Sequence, residues 1–356
     1  MSSDNTIIIG KKKIGPGHPV FIIAEMSCNH NQDFQKALDI IDAAADAGVD
    51  AVKLQTFKPE VITIDSDKEY FKINVNDAWR GQTLYGLYKQ VYTPWEWQAK
   101  LKEYGEKKGL IVFSSPFDET AVDFLEGLNV GAYKIASFET GDLELLRKVG
   151  STKKPVIISR GMTSIEDLDL AIRTLKDAGS PQVAVLHCVS SYPAPIDQMN
   201  LSTIPDIASR FDVVTGLSDH SMDDLGFIVP LTAVALGASI IEKHFTLRRS
   251  DGSPDAAFSL EPQEMKAMVK AIRDAEKAIG RPTYEVKGKE AENMVFRRSL
   301  FAVKDIKKGE ALTKDNIRSI RPGYGLAPKH LEAVLGKKAV QDIETGTPLK
   351  WDLIKR

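Results

Sequence analysis

The sequence predicts a (β/α)8 (TIM) barrel, an α/β fold, followed by a small second domain. Two observations carry this prediction: eight short apolar runs recur between residues 19 and 280, and an amphipathic stretch follows each run. The runs are rich in Val, Ile and Leu, which is typical of strands buried on both faces. Eight strand–helix units in succession indicate a closed barrel of parallel strands.

The predicted strands and two of the helices can be placed directly on the sequence. The strands are Val20–Glu25, Ala51–Gln55, Leu110–Ser115, Ala132–Ser137, Pro155–Ser159, Val183–Cys188, Val213–Ser218 and Ala238–His244. One helix is predicted over Phe34–Ala47, where apolar residues recur at helical spacing and Gly48 follows as a stop signal. Another is predicted over Ile165–Ala178, because Ser164 suits an N-cap and Gly179 suits a C-terminal stop.

An open, doubly wound sheet is the competing fold. Its usual marker is a Gly-rich turn after the first strand, and EMSCNH stands there instead. The second unit is unusually long, because residues 58–93 separate its strand from a helix that begins near Pro94. Since long βα loops lie over the catalytic face, we expect this segment, with Trp79, Tyr85 and Tyr88, to be an active-site loop. The alternative is a solvent-exposed excursion whose aromatic side chains pack locally.

The domain boundaries follow from a change of pattern after Gly280. Residues 1–280 form the predicted barrel domain, and residues 281–296 are polar and charged, as expected of a linker. Residues 297–356 contain short apolar runs and two turn-like sequences, KKG and ETG. A domain of about 60 residues can fold alone, although its stability is marginal.

Composition narrows the class of protein. A formal net charge of -2 predicts no broad attraction to nucleic acid or to an anionic membrane. No apolar run approaches the roughly 20 residues of a membrane-spanning helix, and the first residues place charge after the apolar stretch, the wrong order for a secretory signal. Two cysteines, Cys28 and Cys188, fit free thiols better than a disulfide, so we expect a reducing, cytoplasmic location.

Polar residues close the predicted strands, and the carboxyl ends of barrel strands meet on one face. We therefore expect the following side chains to lie near one another: Glu25, Lys53, Gln55, Ser114, Ser115, Lys134, Ser137, Glu139, Ser159, Ser190, Tyr192, Ser218, Asp219, His220, Lys243 and His244. Lysines with small hydroxyls suit a phosphate or a carboxylate. Two histidines on adjacent strands suit one metal ion with open positions. Taken singly, a Ser at a strand end is usually a turn residue, a His there is usually a core residue, and Lys53 could point to solvent. The occurrence of all these residues together favours a functional site.

Several segments resemble the sialic acid synthase family in order and spacing: FIIAEMSCNH, DAVKLQTF, FSSPFD, YKIASFE, HCVSSYPAP, GLSDHS and ALGASIIEKHF. The C-terminal block, with RRSLFAVKDIKKGE and IRSIRPGYGL, is similar to the antifreeze-like (SAF) domain of that family. The sequence WRGQTLYGLY, followed by TPWEW, most resembles the pseudaminic acid synthase branch, and spore-coat polysaccharide enzymes share much of it.

The resemblance implies a reaction. Phosphoenolpyruvate would condense with a 2,4-diacetamido-2,4,6-trideoxy hexose and water to give a nonulosonic acid and phosphate, assisted by a divalent metal, Mn2+ or Mg2+. The alternatives within the family are N-acetylneuraminate, legionaminate or spore-coat polysaccharide synthesis. Because the sugar lacks a 6-hydroxyl, we expect an apolar wall from Met26, Phe138 or an aromatic side chain of residues 58–93.

The resemblance also assigns residues. Glu25 would stand beside the reacting carbons, His220 and His244 would bind the metal, and Arg321 would reach the barrel of the other subunit in a domain-swapped homodimer. Phosphoenolpyruvate would be held by Lys53, Ser115, Lys134, Ser137, Ser159, Ser190 and Ser218. The sugar would lie near Gln55, Glu139, Tyr192, Asp255 and Arg321.

Two other functions compete with this one. A Schiff-base aldolase would use Lys53 or Lys134 as its nucleophile, since desolvation in a barrel lowers the pKa of a lysine. A non-catalytic sugar-binding or ice-binding protein would explain the small domain but would leave both histidines and the lysines without a role.

Overall fold

The computed structural model describes residues 5–74, 79–223 and 227–355. The chain divides into two compact units between Gly280 and Arg281. The second unit includes residues 281–296, the segment expected to be a linker, together with the small domain. In the described part of the chain, no helix is both long enough and apolar enough to cross a membrane.

The strands of the first unit are a short hairpin and a barrel. The hairpin pairs β1 (Ile7–Ile9) with β2 (Lys12–Ile14). The barrel strands are β3 (Phe21–Glu25), β4 (Ala51–Thr56), β5 (Ile111–Pro116), β6 (Tyr133–Ile135), β7 (Val156–Arg160), β8 (Val183–Cys188), β9 (Val214–Asp219) and β10 (Ile240–His244). They are parallel, they lie in chain order, and β10 pairs with β3 to close the ring. The predicted barrel is therefore confirmed, and the open doubly wound sheet is excluded.

Helices connect the barrel strands. Those of the first unit are α1 (Phe34–Ala47), α2 (Pro59–Ile62), α3 (Leu84–Val91), α4 (Trp95–Lys107), α5 (Glu119–Gly127), α6 (Leu143–Ser151), α7 (Ile165–Ala178), α8 (Thr203–Phe211), α9 (Ile228–Ala235) and α10 (Pro262–Ile279). Helices α1 and α7 have the predicted bounds, because capping fixes both ends. Asp33 and Ser164 accept hydrogen bonds from backbone N–H groups of the first turn, and Gly48 and Gly179 follow with positive φ.

The long segment after β4 folds back onto the barrel. It contains α2 and α3, and residues 75–78 within it lie outside the described range. The Tyr88 ring packs edge-on against Phe57, with centroids 5.7 Å apart. The indole of Trp95 donates a hydrogen bond to the Phe57 carbonyl at 3.1 Å. These contacts anchor the segment at the carboxyl end of β4.

The hairpin closes the amino end of the barrel. Its buried residues Ile7, Ile9 and Ile14 share one core cluster with inward side chains of the barrel strands, among them Phe21 and Phe113. Because the inward residues near the strand starts are apolar, polar chemistry is confined to the carboxyl end.

The second unit has a core of its own. It consists of α11 (Lys289–Glu292), β11 (Ser299–Ala302), β12 (Ile317–Ile320) and α12 (Leu331–Val334), and β11 pairs antiparallel with β12. Leu300, Ile317 and Leu349 are among its fully buried residues. Gly309 and Gly346 have a φ of +85°, which explains why glycine ends the two predicted turns.

Candidate active site

Four charged side chains meet at the carboxyl end of the barrel and are buried there. Lys53 Nζ lies 2.7 Å from Glu25 Oε2 and 3.7 Å from Glu242 Oε1. Lys134 Nζ lies 3.4 Å from Glu242 Oε1, and the Ser218 hydroxyl donates to the same oxygen at 2.9 Å. Two ammonium and two carboxylate groups can balance each other, as a buried charge cluster requires. Lys53 therefore points into the barrel rather than to solvent.

Glu242 is a central residue that the sequence analysis missed. Side chains alternate along a strand, so Glu242 shares the inner face with His244, and this alternation was the signal that could have found it. The same alternation corrects the prediction for two strand-end residues, because Asp219 and Lys243 face outward and pair with each other. Ser114 also faces away from the cluster and hydrogen-bonds to Thr56 at 2.6 Å.

The charges of the cluster are distributed unevenly. Burial opposes the charge of Lys53, but Glu242 and Glu25 outweigh it and raise the pKa of Lys53. Burial lowers the pKa of Lys134, although Glu242 opposes the shift. Burial raises the pKa of Glu25, although the positive charge of Lys53 opposes this shift. Burial also acts on Glu242, but the positive charges of Lys134 and Lys53 outweigh it and lower the pKa of Glu242. Glu242 is thus the firmly ionised carboxylate, and Glu25 is the one closer to protonation.

Hydroxyl groups surround the lysines. Lys53 Nζ donates to Ser115 Oγ at 3.2 Å, and the hydroxyls of Ser137 and Ser190 are 2.8 Å apart. The buried Ser159 hydroxyl has no hydrogen-bond partner within the described residues, so it is free to bind a ligand oxygen. Together with Ser218, the whole set of residues predicted to bind an anion therefore lies at the carboxyl end of the barrel.

A chain of polar contacts joins Glu25 to the histidines. The Gln55 amide donates to Glu25 Oε1 at 2.9 Å and to Ser27 Oγ at 3.0 Å. Ser27 donates to Asp255 Oδ2 at 2.5 Å, and that oxygen lies 3.3 Å from His244 Nδ1. Gln55 and Asp255, both predicted near a sugar, therefore belong to one contact network with Glu25, and Asp255 contacts a predicted metal ligand.

The two histidines are neighbours, as predicted. Their ring centroids are 5.3 Å apart, and Phe258 packs 4.8 Å from His244. The Tyr192 ring is tilted against that of His220, with centroids 4.4 Å apart. Phe258 lies in a short 3-10 helix rather than at a strand end, so no strand pattern could have revealed it. Burial and the charge of His244 lower the pKa of His220 to about 3, so the imidazole of His220 is neutral, as a metal ligand must be.

These residues fit a divalent cation with an open coordination sphere. Within the described ranges, no group of three or more His, Cys, Asp or Glu residues is arranged to hold a metal, so the protein would supply two imidazoles and leave positions for water or substrate. His220 Nδ1 lies 3.2 Å from the Val189 carbonyl, a contact that leaves Nε2 as the ligand. His244 Nδ1 is buried and, although close to Asp255, is not aligned for a hydrogen bond.

Glu139 and Arg321 lie in different settings. Glu139 is partly buried beyond β6, its Oε2 has no hydrogen-bond partner among the described residues, and burial raises its pKa to about 7 against the effect of Lys134. Arg321 belongs to the second unit, where it follows β12 and is exposed.

The loops at the carboxyl end of the barrel border an open cavity of about 780 Å3. Trp79 and Leu87 of the long segment line it together with Cys28 and Ser253, which follow β3 and β10. The long segment therefore lies at the carboxyl end of the barrel, and its role as an active-site loop stays a prediction. Of the residues proposed for an apolar wall, Met26 is wrong, because it is fully buried in the core behind the barrel. Phe138 is 60% exposed.

A closed parallel barrel with a buried, charged and hydroxyl-rich carboxyl end defines an enzyme of the (β/α)8 class. The chain belongs to the NeuB family, whose model matches residues 40–284, and the SAF domain model matches residues 297–355. The resemblance inferred from the sequence is thereby confirmed.

Known relatives match nearly the whole chain. A pseudaminic acid synthase of Campylobacter jejuni is 46% identical over 331 residues, which cover 93% of this chain and 95% of that protein. A pseudaminic acid synthase of Helicobacter pylori is 42% identical, and the match covers 95% of this chain and 98% of that protein. The crystal structure of the spore coat polysaccharide biosynthesis protein spsE from Bacillus subtilis superimposes with a TM-score of 0.67 at 37% identity, with 99% of each chain covered.

Proposed function

We propose that this enzyme is a pseudaminic acid synthase, which joins phosphoenolpyruvate to a 2,4-diacetamido-2,4,6-trideoxy hexose and water with release of phosphate. The observation that carries this proposal is the buried Lys53–Lys134 pair among serine hydroxyls, of which that of Ser159 has no partner within the described residues, at the same end of the barrel as two neighbouring histidines. The similarity to two pseudaminic acid synthases at 42% and 46% identity selects the sugar.

The anion site is deep in the barrel. Lys53 and Lys134 neutralise the phosphate and the carboxylate of phosphoenolpyruvate, because each buried ammonium provides a charge that bulk water does not screen. Hydroxyl donors complete the site, and they come from Ser115, Ser137, Ser159, Ser190 and Ser218.

The reaction needs a base beside the reacting carbons. Carbon 3 of phosphoenolpyruvate attacks the aldehyde carbon, water adds to the carbon 2 that becomes electron-poor, and the C–O bond to phosphate then breaks. Glu25, whose carboxyl pKa is raised by burial, accepts the proton of that water. A divalent ion on His220 and His244, Mn2+ or Mg2+, would supply Lewis-acid polarisation of the aldehyde oxygen.

The sugar lies toward the mouth of the barrel. Gln55, Glu139, Tyr192 and Asp255 border this region and offer hydrogen-bond partners. Phe138 or Trp79 supplies the apolar surface for the methyl group of a 6-deoxy sugar, since Met26 is enclosed in the core.

The second unit completes the site from a partner subunit. We assign the exposed Arg321 to the sugar bound in the other barrel of a domain-swapped homodimer, because a guanidinium matches acyl oxygens and hydroxyls better than a lysine does. Two buried free cysteines, Cys28 and Cys188, support a reducing, cytoplasmic setting for this dimer.

Phosphate release from phosphoenolpyruvate, measured against a panel of aldehyde sugars, tests the proposal. We expect turnover with the 2,4-diacetamido-trideoxy sugar and little with N-acetylmannosamine. Efficient use of N-acetylmannosamine alone would reject the sugar assignment, and no phosphate release with any sugar would reject the reaction itself.

A further inference from the structure

An ion pair lies on the outer face of the barrel, behind the two histidines. Asp219 of β9 and Lys243 of β10 are register partners, their Oδ2 and Nζ atoms are 2.7 Å apart, and both side chains are 0% exposed. His220 follows Asp219, and His244 follows Lys243. The pair therefore ties together the backbones of the two strands at the points from which the histidines project inward.

The same two side chains fix the turn that carries His220. Asp219 Oδ1 accepts hydrogen bonds from Ser221 N at 2.9 Å and from Ser221 Oγ at 2.7 Å. Lys243 Nζ donates to the Ser221 carbonyl. The His220 carbonyl in turn accepts from Ala194 N at 3.0 Å. His220 is thus held between two restrained neighbours, which limits the directions available to its ring.

Stability alone does not account for the pair. Taking two charges out of water is expensive, and apolar residues of similar volume often replace a buried pair without loss of stability. Residues that orient metal-ligating histidines, by contrast, typically change metal affinity by about ten- to a hundredfold when they are altered. An ion pair with no exposure to solvent, placed next to both histidines, matches this second role.

We propose that Asp219 and Lys243 are positioning residues, which set the distance and orientation of His220 and His244 for a divalent cation. The inference rests on the metal-assisted function proposed above. The side chains of Asp219 and Lys243 bond to each other and to Ser221 on the outer side of the barrel, so both act through the strands that carry the histidines and not on the substrate.

The test uses the full-length protein and Mn2+ as the probe. The double variant Asp219→Leu/Lys243→Met removes both charges and leaves an apolar pair. We expect it to fold with a melting temperature near that of the parent, to bind Mn2+ about ten- to a hundredfold more weakly by calorimetry, and to give a changed Mn2+ electron paramagnetic resonance spectrum. The control is Glu126→Gln/Lys154→Met, an ion pair that contacts neither histidine, and its Mn2+ affinity should equal the parent's.

The possible results separate this inference from the proposed function. Unchanged Mn2+ affinity and spectrum in the folded double variant would overturn the positioning role while leaving the metal site intact. No Mn2+ binding by the parent protein would overturn both. If the double variant does not fold, Asp219→Asn serves instead, and it should show weakened Mn2+ binding. If neither variant folds, the pair is structural and the inference is wrong.

Discussion

Lys53 and Glu25 form an ion pair that the barrel encloses, with 2.7 Å between Nζ and Oε2. Glu242 stands on the other side of the ammonium at 3.7 Å. Two carboxylates thus raise the pKa of Lys53 in spite of its burial. An amine that stays protonated is a poor nucleophile, so this relationship argues against an imine on Lys53.

Borohydride trapping tests the aldolase alternative. Enzyme treated with borohydride in the presence of phosphoenolpyruvate and sugar should show no gain in mass by intact-protein mass spectrometry, because no imine forms. Lys134 is included in this test, since burial lowers its pKa. A substrate adduct that maps to Lys53 or Lys134 would contradict the condensation mechanism.

Metal removal should stop turnover. We expect EDTA to abolish phosphate release and added Mn2+ to restore it, because the proposed cation on the two histidines would polarise the aldehyde oxygen. His220→Ala should remain folded by circular dichroism but bind Mn2+ poorly, whereas His18→Ala should behave like the parent. Full activity of metal-free enzyme would refute the metal assignment.

Glu139 should make stability depend on pH. Its folded pKa of about 7 exceeds its ordinary value of 4.5, so the fold favours the protonated carboxyl. The contribution of the protonated Glu139 carboxyl to the free energy of unfolding is complete below pH 4.5 and is lost as the pH rises through about 7. Over that range the parent should lose about 1–3 kcal/mol of unfolding free energy relative to Glu139→Gln.

The Glu139 measurement compares denaturant unfolding of both proteins at several pH values. Parallel stability curves for parent and variant would show that Glu139 titrates normally. Glu144→Gln, which changes an exposed carboxylate on α6, controls for the general effect of removing one negative charge.

Glu242→Gln should be among the most damaging single changes in the barrel. It leaves Lys53 and Lys134 with one fewer carboxylate in a buried setting, and breaking such a pair costs about 3–5 kcal/mol. Urea denaturation measures the loss. Glu103→Gln removes an exposed partner of Lys107 and should leave the free energy of unfolding nearly unchanged. An equally small effect of both changes would show that Glu242 does not hold the cluster together.

Mixing two inactive variants tests the role of Arg321. His220→Ala and Arg321→Ala should each lose most turnover, because one lacks a proposed metal ligand and the other the proposed sugar contact. After subunit exchange, heterodimers pair one intact barrel with one intact arginine and should regain up to half the activity of a normal dimer. No recovery, once exchange is shown by mass spectrometry, would mean that Arg321 does not act on the partner's barrel.

The sequence predicted the barrel well because its strands are apolar and its helices are capped. The bounds of α1 and α7 were correct, since Asp33, Ser164 and the following glycines fix them locally. The predictions for Asp219 and Lys243 failed because the strand ends were grouped without applying the alternation of side chains, and burial of both faces removes the polar contrast that would mark the inner one. The position of Glu242 between Lys53 and Lys134 depends on how β4, β6 and β10 are arranged around the barrel, which no single segment encodes.

The hairpin at the amino end of the barrel limits where ligands can enter. Within residues 5–74, 79–223 and 227–355, the side chains of Ile7, Ile9 and Ile14 fill that end, which leaves the carboxyl end as the side from which the proposed substrates would enter. Lys53 is buried within the barrel, whereas Tyr192, which follows β8, is partly exposed. If phosphoenolpyruvate binds at Lys53 and the sugar near Tyr192, as proposed, the anion has to enter before the sugar, and phosphate can leave only after the sugar product. The order of binding would then be set by depth in the barrel rather than by affinity.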